Sequence, residues 1–118
     1  GKFNFIDTYG EFISDTWFED IGDFSDGYAK VKLNNKWNFI NRNNKLLSDI
    51  WFDWVYTFSD GYAKVNLNGK WNFINTDGKI ISNIWFDKIQ YFVNGHVMLN
   101  NKWYVIDTNG KLYAKRPE

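Results

Sequence analysis

The chain has 118 residues, of which 44% are apolar and 21% aromatic, so it can close one domain or one short repeat array around an aromatic core. Fourteen basic residues balance fourteen acidic ones, which counts against a nucleic-acid binder driven by phosphate neutralisation and against a polybasic membrane-surface protein. The absence of Cys excludes a disulfide framework and thiolate chemistry, and no apolar run approaches the length of a spanning helix.

One segment repeats at intervals of 34 positions. Phe24–Val31 (FSDGYAKV) returns as Phe58–Val65, and Trp37–Asn41 (WNFIN) returns as Trp71–Asn75. The trios Trp17-Phe18-Glu19, Trp51-Phe52-Asp53 and Trp85-Phe86-Asp87 keep the same interval. Self-similarity at such a period marks a repeat architecture. The chain divides into an N-terminal hairpin and connector (1–26), two repeats (27–60 and 61–94) and a shortened capping repeat (95–118).

In chain order, Lys2–Phe5 and Glu11–Ser14 form an opening hairpin. The connector that follows, Glu19–Asp23, is expected to hold no more than a short helical turn. Tyr28–Leu33 and Tyr62–Leu67 alternate in polarity and read as strands. Asn34-Asn35, Asn68-Gly69 and Asn100-Asn101 follow as two-residue turns, since a type I′ turn needs positive φ at both central positions. A two-residue turn pairs Leu33 with Lys36, Lys32 with Trp37, Val31 with Asn38 and Lys30 with Phe39. Ala29, Val31, Leu33, Asn38 and Ile40 then share one face, and Tyr28, Lys30, Lys32, Trp37 and Phe39 the other. After a second turn, Leu46–Ser48 and Ile80–Ser82 read as third strands. The last copy lacks two residues, equivalent to Tyr62 and Ala63. Strand side chains alternate with period two, so this loss shortens a strand without turning it over. The expected fold is all-β: three-stranded antiparallel meanders stacked as a short elongated array. A partial propeller-like arrangement or a dimer-completed sheet are the alternatives.

The segment Gly69-Lys70-Trp71-Asn72-Phe73-Ile74-Asn75 resembles the WG-repeat (KWG-repeat) family of bacterial proteins, as do Asp77-Gly78-Lys79, Phe86-Asp87 and Phe58–Val65. The family's Gly after Trp is Asn38, Asn72 and Tyr104 here. Asn can imitate Gly at positive φ, but Tyr does so poorly, so at Tyr104 an ordinary β conformation is expected. The family's Pro pair is Asp49-Ile50 and Asn83-Ile84, which is expected to permit extra main-chain pairing. The resemblance implies an interaction module and supplies no catalytic constellation.

The residues agree with a non-catalytic reading. His96 is the only histidine and stands where the other copies carry Lys30 and Lys64, so no metal or cofactor is expected. The carboxylates recur once per repeat, as turn residues do and a catalytic pair does not. Glu19, Asp53 and Asp87 are expected to accept connector N–H groups or to pair with a repeat Lys. Trp37, Trp71 and Trp103 form a ladder expected to be buried between repeats. Trp17, Trp51 and Trp85 form a second, half-exposed one. Trp54 lies outside both, with Lys88 and Gly22 read as its counterparts, so repeat packing cannot require a Trp there. The functional expectation is a protein-binding module, such as a small bacterial or phage-encoded adaptor or inhibitor, with a homodimer allowed. Trp51, Trp54, Tyr56, Trp85, His96 and Tyr104 are its candidate contact residues. Glycan or cell-wall binding through exposed Trp rings and single-stranded nucleic-acid binding are the alternatives. No membrane partner is expected. No signal peptide is visible, which leans towards the cytoplasm, although the start at Gly1 leaves room for a removed leader or a larger N-terminal part.

Overall fold

The turns set the register of everything else. In the computed structural model, which describes residues 1–90 and 95–114, Asn34 and Asn35 have φ of 52° and 65°, Asn68 and Gly69 of 55° and 82°, and Asn100 and Asn101 of 53° and 65°. Positive φ at both centres is the type I′ signature, whose twist matches that of the flanking strands. Each turn therefore closes a hairpin: β2 (Ala29–Leu33) with β3 (Lys36–Ile40), β5 (Tyr62–Leu67) with β6 (Lys70–Asn75), and β8 (His96–Leu99) with β9 (Lys102–Ile106). The pairing is the one the turn length dictates, with Leu33 opposite Lys36 and Lys30 opposite Phe39. Asp26-Gly27 and Asp60-Gly61 also have positive φ and form tight turns at the Ser-Asp-Gly segments. The Ser25 and Tyr28 main chains bond each other across the first of them at 2.8 and 3.0 Å.

The remaining strands differ from expectation. Each sheet takes its first strand from the connector: β1 (Asp20–Ile21), β4 (Trp54–Val55) and β7 (Lys88–Ile89) pair antiparallel with β2, β5 and β8. Within Glu19–Asp23, expected to hold no more than a short helical turn, Asp20–Ile21 is strand. Two residues are too few for an alternating pattern to register, and the stabilising partner lies outside the segment. The limits at residues 26, 60 and 94 fall between the first and second strands of each sheet. The register also makes Asp20, not Gly22, the counterpart of Trp54, since Asp20 faces Lys32 as Trp54 faces Asn66 and Lys88 faces Met98.

The expected third strands, Leu46–Ser48 and Ile80–Ser82, are reduced to single bridges, Ile40–Leu46 and Ile74–Ile80. Beyond each bridge the two segments are joined by the Asn that stands for the family's Gly. Asn72 is fully buried and does not adopt positive φ. Its amide donates to the Ser82 carbonyl at 2.9 Å and to Ile84 at 3.2 Å, while its oxygen accepts the Phe73 N–H at 2.8 Å. Asn38 does the same towards Ser48 and Phe39. The side chain adds to the main-chain bonds between the two segments, among them Leu47 N–H to Phe39 and Ile81 N–H to Phe73, each at 2.9 Å. Tyr104 cannot bridge in this way, and there β10 (Leu112–Ala114) pairs directly, with Ala114 opposite Tyr104. The last sheet is accordingly four-stranded, in the order β10-β9-β8-β7. At the missing Pro pair, the Ile50 and Ile84 N–H groups go to the Ser48 and Ser82 hydroxyls, each at 3.0 Å, so these bonds are to side chains and not to main chain.

The two-residue deletion shortens β8 to four residues against six in β5. Val97 still faces Tyr104 as Val65 faces Asn72, so no side chain changes face. The N-terminal hairpin is present as isolated bridges, Ile6–Phe12 and Phe3–Phe18. The tail read as a cap is strand through Ala114, and its residues 115–118 lie outside the described residues.

Both faces of each central sheet are buried, in different company. Ala29, Val31 and Ile40 pack with Phe18 and against Phe5 of the hairpin. On the opposite face, Trp37 and Phe39 pack on Phe52, Val55, Ala63, Val65 and Ile74 of the second sheet. Phe73 of the second sheet then packs on Phe86, Val97 and Ile106 of the third. The sheets stack head to tail, giving a body of 56 × 24 × 21 Å. The contact is close enough that a Cβ at Gly78, which has φ of 81°, would run into the Leu47 carbonyl oxygen of the preceding repeat. Phe73→Ala removes the ring joining the second and third sheets and is expected to cost about 3–5 kcal/mol. The shift in urea midpoint should exceed that for Phe12→Ala, an exposed ring of similar type.

Candidate functional site

The recurring acids cap turns. The Asp53 carboxylate accepts the Asn68 N–H at 2.7 Å and pairs with Lys36, which belongs to the preceding sheet. Asp87 accepts the Asn100 N–H at 3.0 Å and pairs with Lys70. Glu19 accepts the Asn34 and Asn35 N–H groups. Each acid serves the I′ turn of its own sheet, and the two Asp residues also tie that sheet to the one before. The expected pairing with a repeat Lys is present for the two Asp residues, while the N–H groups accepted are those of the hairpin turns and not of the connector. The pairing with Lys36, and then the bond from Asn68, hold Asp53 below the usual carboxylate range. Lys70 and then Asn100 do the same for Asp87, and the Asn35 N–H does so for Glu19. Among the described residues no group of three His, Cys, Asp or Glu side chains could hold a metal ion. No described helix is long and apolar enough to cross a membrane.

The aromatic side chains divide into structural rings and a surface row. Trp51 lies partly buried against the core of the first sheet and Trp85 against that of the second. Tyr104 lies similarly on the core of the third. His96 is half-buried opposite Val105, in the place that Lys30 and Lys64 take opposite Phe39 and Phe73. These four candidates are dispersed through the stack.

Trp54 and Tyr56, by contrast, stand together. They flank the buried Val55 on β4 and its extension, so alternation aims both outwards, and they are 41% and 43% exposed. Their rings complete a row that crosses the junction of the first two sheets. Trp37 and Trp54 have centroids 5.4 Å apart, Trp54 and Tyr56 6.3 Å, and Tyr56 and Trp71 5.8 Å. Lysines lie over the rings, with Lys30 Nζ 5.1 Å from both Trp37 and Trp54 and Lys64 Nζ 4.5 Å from Tyr56. Such ammonium–ring contacts hold the charges beside an apolar floor.

This row corrects the expectation for the first Trp ladder. Only Trp37 is buried, whereas Trp71 and Trp103 are partly exposed. Trp37 is covered edge-on by Trp54 from the next sheet. The residue at that place beside Trp71 is Lys88, which brings no ring, and no further sheet follows Trp103 among the described residues. Trp37 and Trp71 belong to the row although their recurrence reads as packing, and Lys30 and Lys64 join it through their contacts with the rings. A signal was available: Trp54 falls midway between Trp37 and Trp71, at the same 17-residue separation that joins Lys36 to Asp53.

A concave feature lies between the second and third sheets. It is a groove of about 310 Å³ lined by Tyr62, Asn75, Lys79, Ile81, Thr108 and Asn109. At the corresponding junction of the first two sheets, the Tyr28 hydroxyl donates to the Thr76 carbonyl at 3.2 Å. The groove is therefore a seam of the stack.

Stacked antiparallel sheets, joined by residues that recur once per repeat, define an all-β repeat array with its distinctive surface where the repeats differ. The family model for the WG containing repeat matches three consecutive stretches, residues 5–37, 39–71 and 73–103. The chain belongs to this family. Searches of curated proteins and of solved structures returned no match.

The lowered carboxylates make stability depend on pH. Their folded-state affinity for protons is below that of the unfolded chain, so their contribution is present above the unfolded value of about 4 and is lost as pH falls through the folded values. The melting temperature should fall on acidification below about pH 4. An Asp53→Asn/Asp87→Asn variant should show a shallower fall over the same range in a pH series of thermal melts.

Proposed function

We propose that the chain is a non-catalytic binding module for another protein, and that the row Trp37–Trp54–Tyr56–Trp71 is its contact surface. The observation that carries this reading is the pair Trp54 and Tyr56. Both are large, both are more than two-fifths exposed, and neither is required by the repeat. The matching positions hold Asp20 and Gly22 in the first sheet and Lys88 and Gln90 in the third. A packing role would recur with the packing. Trp and Tyr are also the side chains most enriched where protein interfaces concentrate their energy. Lys30, Lys32 and Lys64 border the row, and Lys32 Nζ also approaches Trp37, at 5.8 Å. The partner surface that fits is an apolar anchor flanked by carboxylates. The glycan reading rested on the ladder Trp17, Trp51 and Trp85, of which Trp51 and Trp85 lean on cores and are less free to stack a sugar, while Trp17 is exposed.

The double variant Trp54→Lys/Tyr56→Gln writes the third sheet's own residues into the second, so the fold tolerates the chemistry. Capture from host lysate with mass-spectrometric identification is expected to yield a protein held by the wild-type chain and lost with this variant. Capture should weaken as salt rises. A protein captured equally by both chains would rule out the row as the contact surface. A glycan or single-stranded oligonucleotide bound by the wild-type chain and lost in the variant would replace the protein reading.

A further inference from the structure

One place recurs in the three sheets and is filled differently in each. Gly22 N–H donates to the Lys30 carbonyl and Tyr56 N–H to the Lys64 carbonyl, both at 2.9 Å, and Gln90 N–H donates to His96 at 2.7 Å. In the first sheet the lysine stem lies flat across the glycine. A Cβ at Gly22 would stand 2.8 Å from the Lys30 Cγ and 3.1 Å from its Cε. Gly22 does not have positive φ, so what it supplies is room for that stem. The stem carries Lys30 Nζ to 5.1 Å from both Trp37 and Trp54. In the second sheet a ring replaces the glycine, and Lys64 Nζ stands 4.5 Å from Tyr56. In the third sheet rings and lysine are lost together, with Gln90 facing His96 and Lys88 in the place of Trp54.

The charges held in this way are not answered within the chain. The lysines that tie the sheets together, Lys36 and Lys70, end on carboxylates, whereas Lys30 and Lys64 form no ion pair among the described residues. Lys32 differs from them, since it stands opposite Asp20, which offsets its charge within the sheet. A ring holds an ammonium group without neutralising it, and leaves N–H donors turned away from the ring for an anion. Between Lys30 and Lys64 lie the exposed rings of Trp54 and Tyr56. The planes in the middle of the row cross at 74° and 85°. Crossed planes make a notch for a compact apolar side chain, and give no parallel faces on which successive bases would stack.

We propose that Lys30 and Lys64 are the carboxylate-receiving residues of this surface, and that its occupant is an acidic linear segment of the partner with an apolar side chain between its carboxylates. This assignment rests on the reading of the Trp37–Trp54–Tyr56–Trp71 row as the contact surface. The apolar side chain sits against Trp54 and Tyr56, with carboxylate on Lys30 to one side and on Lys64 to the other. Ion pairs formed beside an apolar floor are screened less than those in open water. Gly22 is a positioning residue, acting through Lys30 and touching no ligand itself.

The probe is a fluorescein-labelled peptide, Gly-Glu-Asp-Phe-Leu-Asp-Glu-Gly, titrated with the full chain and followed by anisotropy. Its control carries Gln and Asn in place of Glu and Asp. Saturable binding of the acidic peptide is expected, falling with salt and weaker by about tenfold for the amide peptide. Lys30→Gln/Lys64→Gln should bring the acidic peptide down to the affinity of the amide one and remove the salt dependence. Gly22→Ala displaces the Lys30 stem and should do the same in part, leaving the amide peptide unaffected. The amide peptide tests the need for charge on the wild-type chain, whatever the folding of the variants. No saturation, equal binding of the two peptides, or an unchanged affinity in the lysine variant would each overturn the proposal. So would a dodecathymidylate bound more tightly than the acidic peptide and lost in the lysine variant, which would give the two lysines to phosphate. A lysate protein lost with Trp54→Lys/Tyr56→Gln but held fully by the lysine variant removes this assignment and keeps the row. One held equally by the ring variant removes the row itself.

Discussion

The structure depends on one contact, made repeatedly: an aromatic ring on the second face of one sheet set into the aliphatic first face of the next. Phe39 and Phe73 make it at the two internal junctions, and Phe5 makes it at the N-terminal one. A two-stranded hairpin alone is marginal in water, and a small sheet needs a covered apolar face. Here each gains a covered face from its predecessor, and the first two gain another from the sheet that follows. The contact joins unlike surfaces, so the stack is directional, and its two ends are chemically different.

That directionality separates what must recur from what is free to vary. The acid that caps each turn and the Asn or Tyr after each aromatic lie at junctions. They change only where the junction changes, as Tyr104 does where β10 pairs directly with β9. Trp54 lies on a strand of two residues at the margin of the second sheet and Tyr56 just beyond it, and of these three residues only Val55 is buried. Variation is tolerated there, and a surface suited to a partner can arise without disturbing the stack.

Much of this was legible in the residues. Asn-Asn and Asn-Gly between alternating runs set the hairpins and their pairing, because positive φ at two successive positions admits one turn geometry. The two-residue loss near Gly95 preserved the faces for the same reason of period. The short strands β1, β4 and β7 were not legible, since two residues carry no pattern and owe their conformation to β2, β5 and β8. The role of Asn38 and Asn72 as side-chain bridges was hidden for a different reason. Their partners, the carbonyls of Ser48 and Ser82, lie ten residues on. In the surface row, Trp54 and Tyr56 were visible as departures from the repeat. Trp71 was not, because a repeated Trp reads as core until the missing ring at Lys88 is noticed.

Every sheet is made of segments adjacent in the chain, from Asp20 to Ile40, Trp54 to Asn75, and Lys88 to Ala114. Contacts between residues near in sequence close small loops and form quickly. Such a molecule can be assembled in the order in which it is made, each sheet forming within itself and then serving as the platform for the next. Its kinetics are governed by loop closure within single repeats, and lengthening the array would add further steps of the same kind without adding a slower one.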